Sequence, residues 1–273
     1  GPITGDTRVS VYGAHFANGH KPFCKFPQPS GIAVPVNASR IDGGAGLVCL
    51  SPLAASGVRA PLEVSLNGQQ YTKTGLMYDT VAPAVIGALS PSCGPTGGLT
   101  IVNVSGAALQ GGTHLQCRLT PNRGLSNDAG AKTVPARRSA NDSSVLCETP
   151  SLVSSVASYR VAPNAQQFSL PSDFAYYPPP VVSISSPSSG PSDGGTVVVV
   201  HGSHLTPTAS PPADSTCDVV CRFGEQLSAG SIDVPAGTIT CESPANLPAT
   251  GTALPLSISL NRQQYSPGAH TFR

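Results

Sequence analysis

Eight cysteines are the side chains best placed to do chemistry in this chain, and six of them recur by a rule. Cys24, Cys117 and Cys221 are each followed by a base and then an apolar residue; Cys49, Cys147 and Cys241 each open a C-x-[ST]-P sequence. A pair that returns in this way is most simply one disulfide per copy, closing a loop of about 20 to 30 residues and adding about 3 kcal/mol each. Cys93 and Cys217 have no counterparts. Cys93 stands directly before a Gly-Pro turn, and Cys217 lies in an insertion, since the spacing from the preceding repeat glycine to the Cys is 11 at Gly13–Cys24 and Gly106–Cys117 but 19 at Gly202–Cys221. In sandwiches strung end to end, both positions fall at the ends that face each other, so a disulfide across the joint is sterically reasonable. Free thiols and a bond to another chain are the alternatives.

Other groups argue against catalysis. His201 and His204 form an H-x-x-H, but they align with Tyr12 and Ser105, and with His15 and Ala108, in the other copies, which describes a variable exposed position better than a metal ligand. His20, His114 and His270 have no acid or Cys at ligand spacing. The 14 acidic residues form no paired arrangement, and Asp142, Asp173, Asp193 and Asp214 sit beside Ser, Gly or Pro, where turn formation accounts for them. No G-x-S-x-G, P-loop or H-E-x-x-H is present. The expectation is no enzyme, no metal and no cofactor. Modification is another matter: Asn37, Asn103 and Asn141 open N-x-[ST] sequons, and Asn103, set between the inward-facing Val102 and Val104, should face solvent.

The elements that must carry these groups repeat. The pattern G-P-x4-T-x-V-x-V-x-G starts at Gly1, Gly94 and Gly190, and alternating Val after a Gly-Pro turn reads as a strand with one buried face, Val9, Val102 and Val198 inward. Its outward positions are Arg8 and Ser10, then Ile101 and Asn103, but Val197 and Val199 in the third copy. Such an apolar outward face is covered locally or meets a partner. An L-N-x-Q-Q-Y segment follows late in the copies at Leu66 to Tyr71 and Leu260 to Tyr265, with a degenerate version at Pro163 to Phe168. Aromatic strands ending at Met77-Tyr78 and Phe174 to Tyr177 close the first two copies, and Ala82-Pro83 and Pro178 to Pro180 make short stiff linkers. Modules are therefore expected at 1–80, 81–177 and 178–273, the first lacking the strand that Val85-Ile86 and Val181 to Ile184 supply in the others, so more protein is expected before Gly1.

Composition fits that plan. In 273 residues there are 29 Gly, 28 Pro and no Trp, and only 11% are charged, which favours turns and short strands over long helices. A net charge of +1, with only small basic clusters such as Arg137 and Arg138, excludes a nucleic-acid footprint. The longest aliphatic run, Val197 to Val200, falls far short of the ~20 residues that cross a bilayer. Neither an initiator Met nor a signal peptide is present, so a targeting sequence is expected elsewhere in the protein.

Read together, P-x-I-x-x-x-S-P-x-x-G-P-x-x-G-G-T, V-x-V-x-G, C-R-F-G, C-E-S-P and V-S-L-N-G-Q-Q-Y resemble the IPT/TIG family of immunoglobulin-like domains, as in plexins, fibrocystin-type receptors and many algal and protist surface proteins. The resemblance implies an all-β chain of three tandem sandwiches that hold and contact other molecules. The second copy departs from it, with Cys117-Arg118-Leu119-Thr120 for C-R-F-G. Regular Cys pairs point to an oxidising compartment. The Ala/Gly/Pro/Ser-rich composition is similar to green-algal surface proteins, with Pro178 to Pro180 and Pro211-Pro212 as candidates for O-glycosylated hydroxyproline. The expected role is an extracellular structural or adhesive glycoprotein segment, a spacer whose partners are other protein chains or further copies of itself; in an algal setting this would be a ciliary surface filament such as a mastigoneme, or a gamete adhesin. A plexin-like receptor ectodomain is the second reading, and a module of an intracellular enzyme or DNA-binding protein the third.

Overall fold

The computed structural model describes all residues except 122–129, 142, 154–155, 207–216, 249–251 and 269. Pro211, Pro212, Asp142 and Asp214 thus lie outside the described residues. The first module is built from β1 (Arg8–Tyr12), β2 (Phe23–Phe26), β3 (Val34–Asn37), β4 (Ser39–Ile41), β5 (Gly46–Leu50), β6 (Val58–Pro61), β7 (Glu63–Ser65) and β8 (Met77–Thr80). The second has β9 (Val85–Ser90), β10 (Cys93–Pro95), β11 (Ile101–Ala107), β12 (Gln116–Pro121), β13 (Lys132–Arg138), β14 (Val145–Glu148), β15 (Val156–Ala162) and β16 (Ser172–Tyr177). The third has β17 (Val181–Ser186), β18 (Val197–Ser203), β19 (Val220–Phe223), β20 (Gln226–Asp233), β21 (Thr238–Glu242), β22 (Leu254–Ser259) and β23 (His270–Phe272). A 3-10 turn at Asp42–Gly44 is the one helical element among the described residues.

Each module is a two-layer sandwich, and in modules two and three one bent strand serves both layers. In module two the sheet order is β10-β16-β15-β12-β13-β14-β11-β9, and β13 pairs with β12 through Lys132–Pro135 and with β14 through Ala136–Arg138. β20 does the same work in module three, whereas in module one the equivalent stretch is broken at Ala38 into β3 and β4. Packing the layers face to face lets the inward side chains of both sheets share one core.

Alternation sets the burial. Val102 and Val104, and Val198 and Val200, are fully buried, and Val11 is buried in module one. Val9 faces the same way and is half-buried, while Leu89 and Val182 reach the cores of modules two and three from β9 and β17. The repeat glycines follow from close approach. A Cβ on Gly98 would meet the backbone of Pro150 and Ser151, which follow the second cysteine, and φ there is +79°. A Cβ on Gly106 would strike the backbone of Val85 where β11 passes the bulge at Gly87 in β9.

The cores of modules two and three run together. Cys93, Ala175 and Tyr177 of module two are buried in the cluster that holds Val198, Phe223, Ile258 and Leu260. At the other joint, Val81 hydrogen-bonds with Gly1 and Ile3, so the ladder of module one runs to that residue.

Burial pushes the phenols of Tyr159, Tyr176 and Tyr177 well above their ordinary value of 10.0, with Tyr176 adding to the effect on Tyr159. The folded chain then holds these protons where the unfolded chain releases them. Stability from this source is complete below about pH 10 and is lost as pH rises beyond it. Alkaline titration should therefore show the tyrosinate absorbance of Tyr159, Tyr176 and Tyr177 rising together with loss of β-sheet circular dichroism; ionisation of these three phenols near their ordinary value in a folded chain would contradict it.

Candidate inter-module joints

The structure pairs Cys24 with Cys49, Cys117 with Cys147 and Cys221 with Cys241, each with Cα atoms 6.3 Å apart, tying β2 to β5, β12 to β14 and β19 to β21. The fourth pair, Cys93 with Cys217, has Cα atoms 5.8 Å apart and crosses from the edge of module two to the loop before β19. Parallel pairing of β10 with β16 fixes Cys93 in place.

A second device crosses both joints, and sequence reasoning had not found its role. The N-x-Q-Q segments form an Asx turn in every module. Asn67, Asn164 and Asn261 each accept, on Oδ1, the backbone N–H groups of both following Gln residues at 2.9 to 3.2 Å. The Asn side-chain amide in turn donates to Oε1 of the second Gln, at Gln70, Gln167 and Gln264. The intervening residue, Ala165 or Arg262, sits at φ 60° or 62°, and Gly68 at 75°.

The two Gln side chains then leave the turn and clasp the neighbouring module. Gln263 acts as an extra peptide group on β11: its Oε1 accepts from Ile101 N–H at 2.8 Å and its Nε2 donates to Ile101 C=O at 2.9 Å. Gln264 accepts from Thr100 Oγ1 at 3.0 Å and donates to Leu99 C=O at 2.8 Å. At the first joint Gln166 repeats this on Arg8 at 2.8 and 3.0 Å, and Gln167 on Thr7 and Asp6 at 3.2 and 3.0 Å. The copy at Pro163 to Phe168 is thus degenerate only in its flanks; the clasping residues are intact.

The base that follows the first Cys of each module has a matching use. Lys25 lies over the Tyr71 ring at 5.1 Å, Arg118 over Phe168 at 3.8 Å and Arg222 over Tyr265 at 4.3 Å, and each ring directly follows its Gln pair. Cation and ring hold the root of the turn against the sheet. Truncation by Arg222→Ala should cost module three about 1 kcal/mol, read as a lower unfolding midpoint, whereas an unchanged midpoint would mean the stack is incidental.

The joints differ in what surrounds the clasp. Between modules two and three the space is filled by Tyr177, Cys93 and Asn261. Between modules one and two an apolar cleft of about 410 Å³ remains, lined by Pro2, Ala82, Pro83, Gly112, Pro163 and Leu170 among others.

The remaining sequence candidates are surface features. Asn37, Asn103 and Asn141 are all exposed, Asn103 in the middle of β11 opposite Leu146 and Ser90, and Asn141 in a turn where Ser139 and Ser143 hydroxyls donate to its Oδ1 at 2.7 Å each. His201 is exposed on β18, and His204 sits at φ 58°, as His15 and Ala108 do at 67° and 54°. His270 meets Ser185 at 2.8 Å, and His114 meets Thr113 at 2.9 Å. Among the described residues no group of three or more His, Cys, Asp and Glu could hold a metal ion. Arg138 donates to the carbonyls of Leu109, Gly111 and Gly112, so this base braces a loop. Among the described residues no helix is long and apolar enough to cross a membrane.

The chain is similar to known proteins. The family model for the IPT/TIG domain matches residues 84–176 and 179–273. Human plexin-A3 (Homo sapiens) is 27% identical over 266 residues, covering 90% of this chain, and rat plexin-A3 (Rattus norvegicus) is 25% identical over 268 residues. The chain spans 13% of the length of these relatives. A solved structure of the full plexin A4 extracellular region superposes with a TM-score of 0.44 at 12% identity, covering 99% of this chain and 28% of that one. With two adjacent domains matched over most of its length, the chain belongs to the IPT/TIG domain family.

Proposed function

We propose that this chain is a non-catalytic spacer and contact segment of an extracellular surface protein, in which three sandwiches are held as one stiff rod. The observation that carries the reading is the repeated Gln clasp, laid across both joints with the same atoms. A loosely strung set of modules has no use for a conserved pose at each joint, whereas a spacer that fixes the distance between its ends does. Four disulfides fit an oxidising location, and the three exposed sequons fit a glycoprotein whose open faces are shielded. Its partners are then protein chains met by sandwich faces and loops, as in a surface filament such as a ciliary mastigoneme.

The similarity to plexin-A3 across 90% of the chain favours a second reading, a receptor ectodomain that presents the same rod to a ligand. The full-length sequence separates the two, since a receptor carries a membrane span and a cytoplasmic portion. The spacer reading is tested by non-reducing peptide mapping of the native protein together with small-angle scattering. Cystine at all four pairs, glycans on Asn37, Asn103 or Asn141 and a scattering profile of an extended particle with narrow length distribution support it. Free thiols, bare asparagines and a broad distribution of lengths would overturn it.

A further inference from the structure

The sequon at Asn37 coincides with a place where module one departs from the strand plan of its neighbours. β3 ends at Asn37 and β4 begins at Ser39, so Ala38, the middle residue of the sequon, is where the chain crosses from one sheet to the other. In modules two and three the residues at this crossing, Ala136 and Gly230, still pair with Cys147 and Cys241. In module one the ladder between β4 and β5 stops at Ser39 and Val48, one residue short of Cys49. Beside that stop lies a groove of about 470 Å³, lined by Asp6, Arg8, Val36, Asn37, Val48 and Leu50 among others. Its apolar side chains are incompletely buried, Leu50 being 56% exposed and Val36 and Val48 half-buried, and the exposed Asp6 and Arg8 add a carboxylate and a guanidinium. The backbone of those two residues is held from the next module by Gln167 and Gln166.

We propose that this groove seats the first sugars of a glycan carried by Asn37, so that the glycan lies against module one instead of standing off it. The point of attachment belongs to the groove itself, and so short a tether gives the sugar an effective concentration on the order of millimolar, which a free ligand of the same chemistry would have to match in solution. An N-linked N-acetylhexosamine has an apolar ring face to lay on Val36, Val48 and Leu50. Its hydroxyl groups can donate to Asp6, and its hydroxyl and acetamido oxygens can accept from Arg8; hydrogen bonds to charged groups are the stronger kind. The other two sequons differ in setting: Asn103 stands in the middle of β11, with Leu146 and Ser90 on either side, and Asn141 lies in a turn. The proposal rests on the glycoprotein part of the spacer reading and gives one glycan a structural place.

The test is release of the glycans, site by site, from the native, oxidised chain by peptide N-glycosidase, with occupancy and release read by peptide mass spectrometry. The Asn37 glycan is expected to come off about tenfold more slowly than those on Asn103 and Asn141, a factor that one hydrogen bond to a charged group supports. Once the chain is reduced and unfolded, all sites should release at a common rate. Leu50→Ser and Arg8→Ala, which change exposed side chains, should each raise the native rate at Asn37 toward that of the others, and Arg8→Ala stands alone if Leu50→Ser fails to fold. An unglycosylated Asn37, or slow release that the variants leave unchanged, would overturn the proposal. Native release at the common rate would overturn it too, leaving the groove to a free ligand or a protein segment. Glycans on Asn103 or Asn141, and scattering from the rod, report the spacer reading separately, so the groove can fail as a sugar seat while that reading stands.

Discussion

Replacing Cys93 and Cys217 together by serine is expected to cost module three about 4 kcal/mol, more than the loss of any disulfide inside a module. When module three unfolds while module two stays folded, both Cys93 and Tyr177 remain fixed, and the bond closes a loop of about 40 residues from Tyr177 to Cys217, which by the chain-entropy relation corresponds to roughly 4 kcal/mol. The intramodule bonds span 25, 30 and 20 residues, for which the same relation gives slightly less, about 3.5 kcal/mol. Cys93 is also fully buried beside Tyr177 in the shared core, so a serine hydroxyl would lie where apolar contact is now made. Scanning calorimetry of the oxidised chain should show modules two and three unfolding as one transition, and in the variant a separate transition for module three lower by roughly 15 °C or more. A single transition at an unchanged midpoint would mean that the shared core and the clasp hold the joint unaided.

Much of the fold could be read from residues because the signals are local and repeated. A Gly-Pro turn before alternating Val, a Cys at the end of each array and an aromatic strand before each linker are short-range patterns, and threefold recurrence removes the ambiguity of any single copy. Val102 and Val198 are buried as alternation requires. Val9, at the same place in the pattern, is half-buried.

The joints were harder to read for a physical reason. Gln263 and Ile101 are 162 residues apart, and no spacing rule relates them. A signal was nevertheless present. Two adjacent glutamines return in all three copies, even where the flanking Leu and Tyr become Pro163 and Phe168, and a polar pair that outlasts its apolar neighbours has no core-packing reason to do so. The base after each first Cys is a similar case: its ring partner lies about 40 to 50 residues on and becomes visible only when β12 and β15, or β19 and β22, are laid side by side.

The first joint has no disulfide, and that makes Gln166→Ala/Gln167→Ala the sharper test of the clasp. Four hydrogen bonds cross there, to Asp6, Thr7 and Arg8, and at about 0.5 to 1.5 kcal/mol each their loss removes about 3 kcal/mol of coupling between modules one and two. What remains is an apolar cleft and the short Ala82-Pro83 linker, which limits reach but does not fix direction. Neither glutamine lies in a core cluster, so each module should keep its own stability. The variant is expected to scatter as a bent and variable particle, with a wide distribution of distances between probes on modules one and three. Gln263→Ala/Gln264→Ala removes the equivalent bonds at the second joint, but Cys93–Cys217 and the buried Tyr177 remain, so its scattering should match that of the unaltered chain. The contrast between the two carries the argument: if both variants stay rigid, the glutamines decorate joints held by packing, and if both become flexible, the disulfide does not fix the second joint.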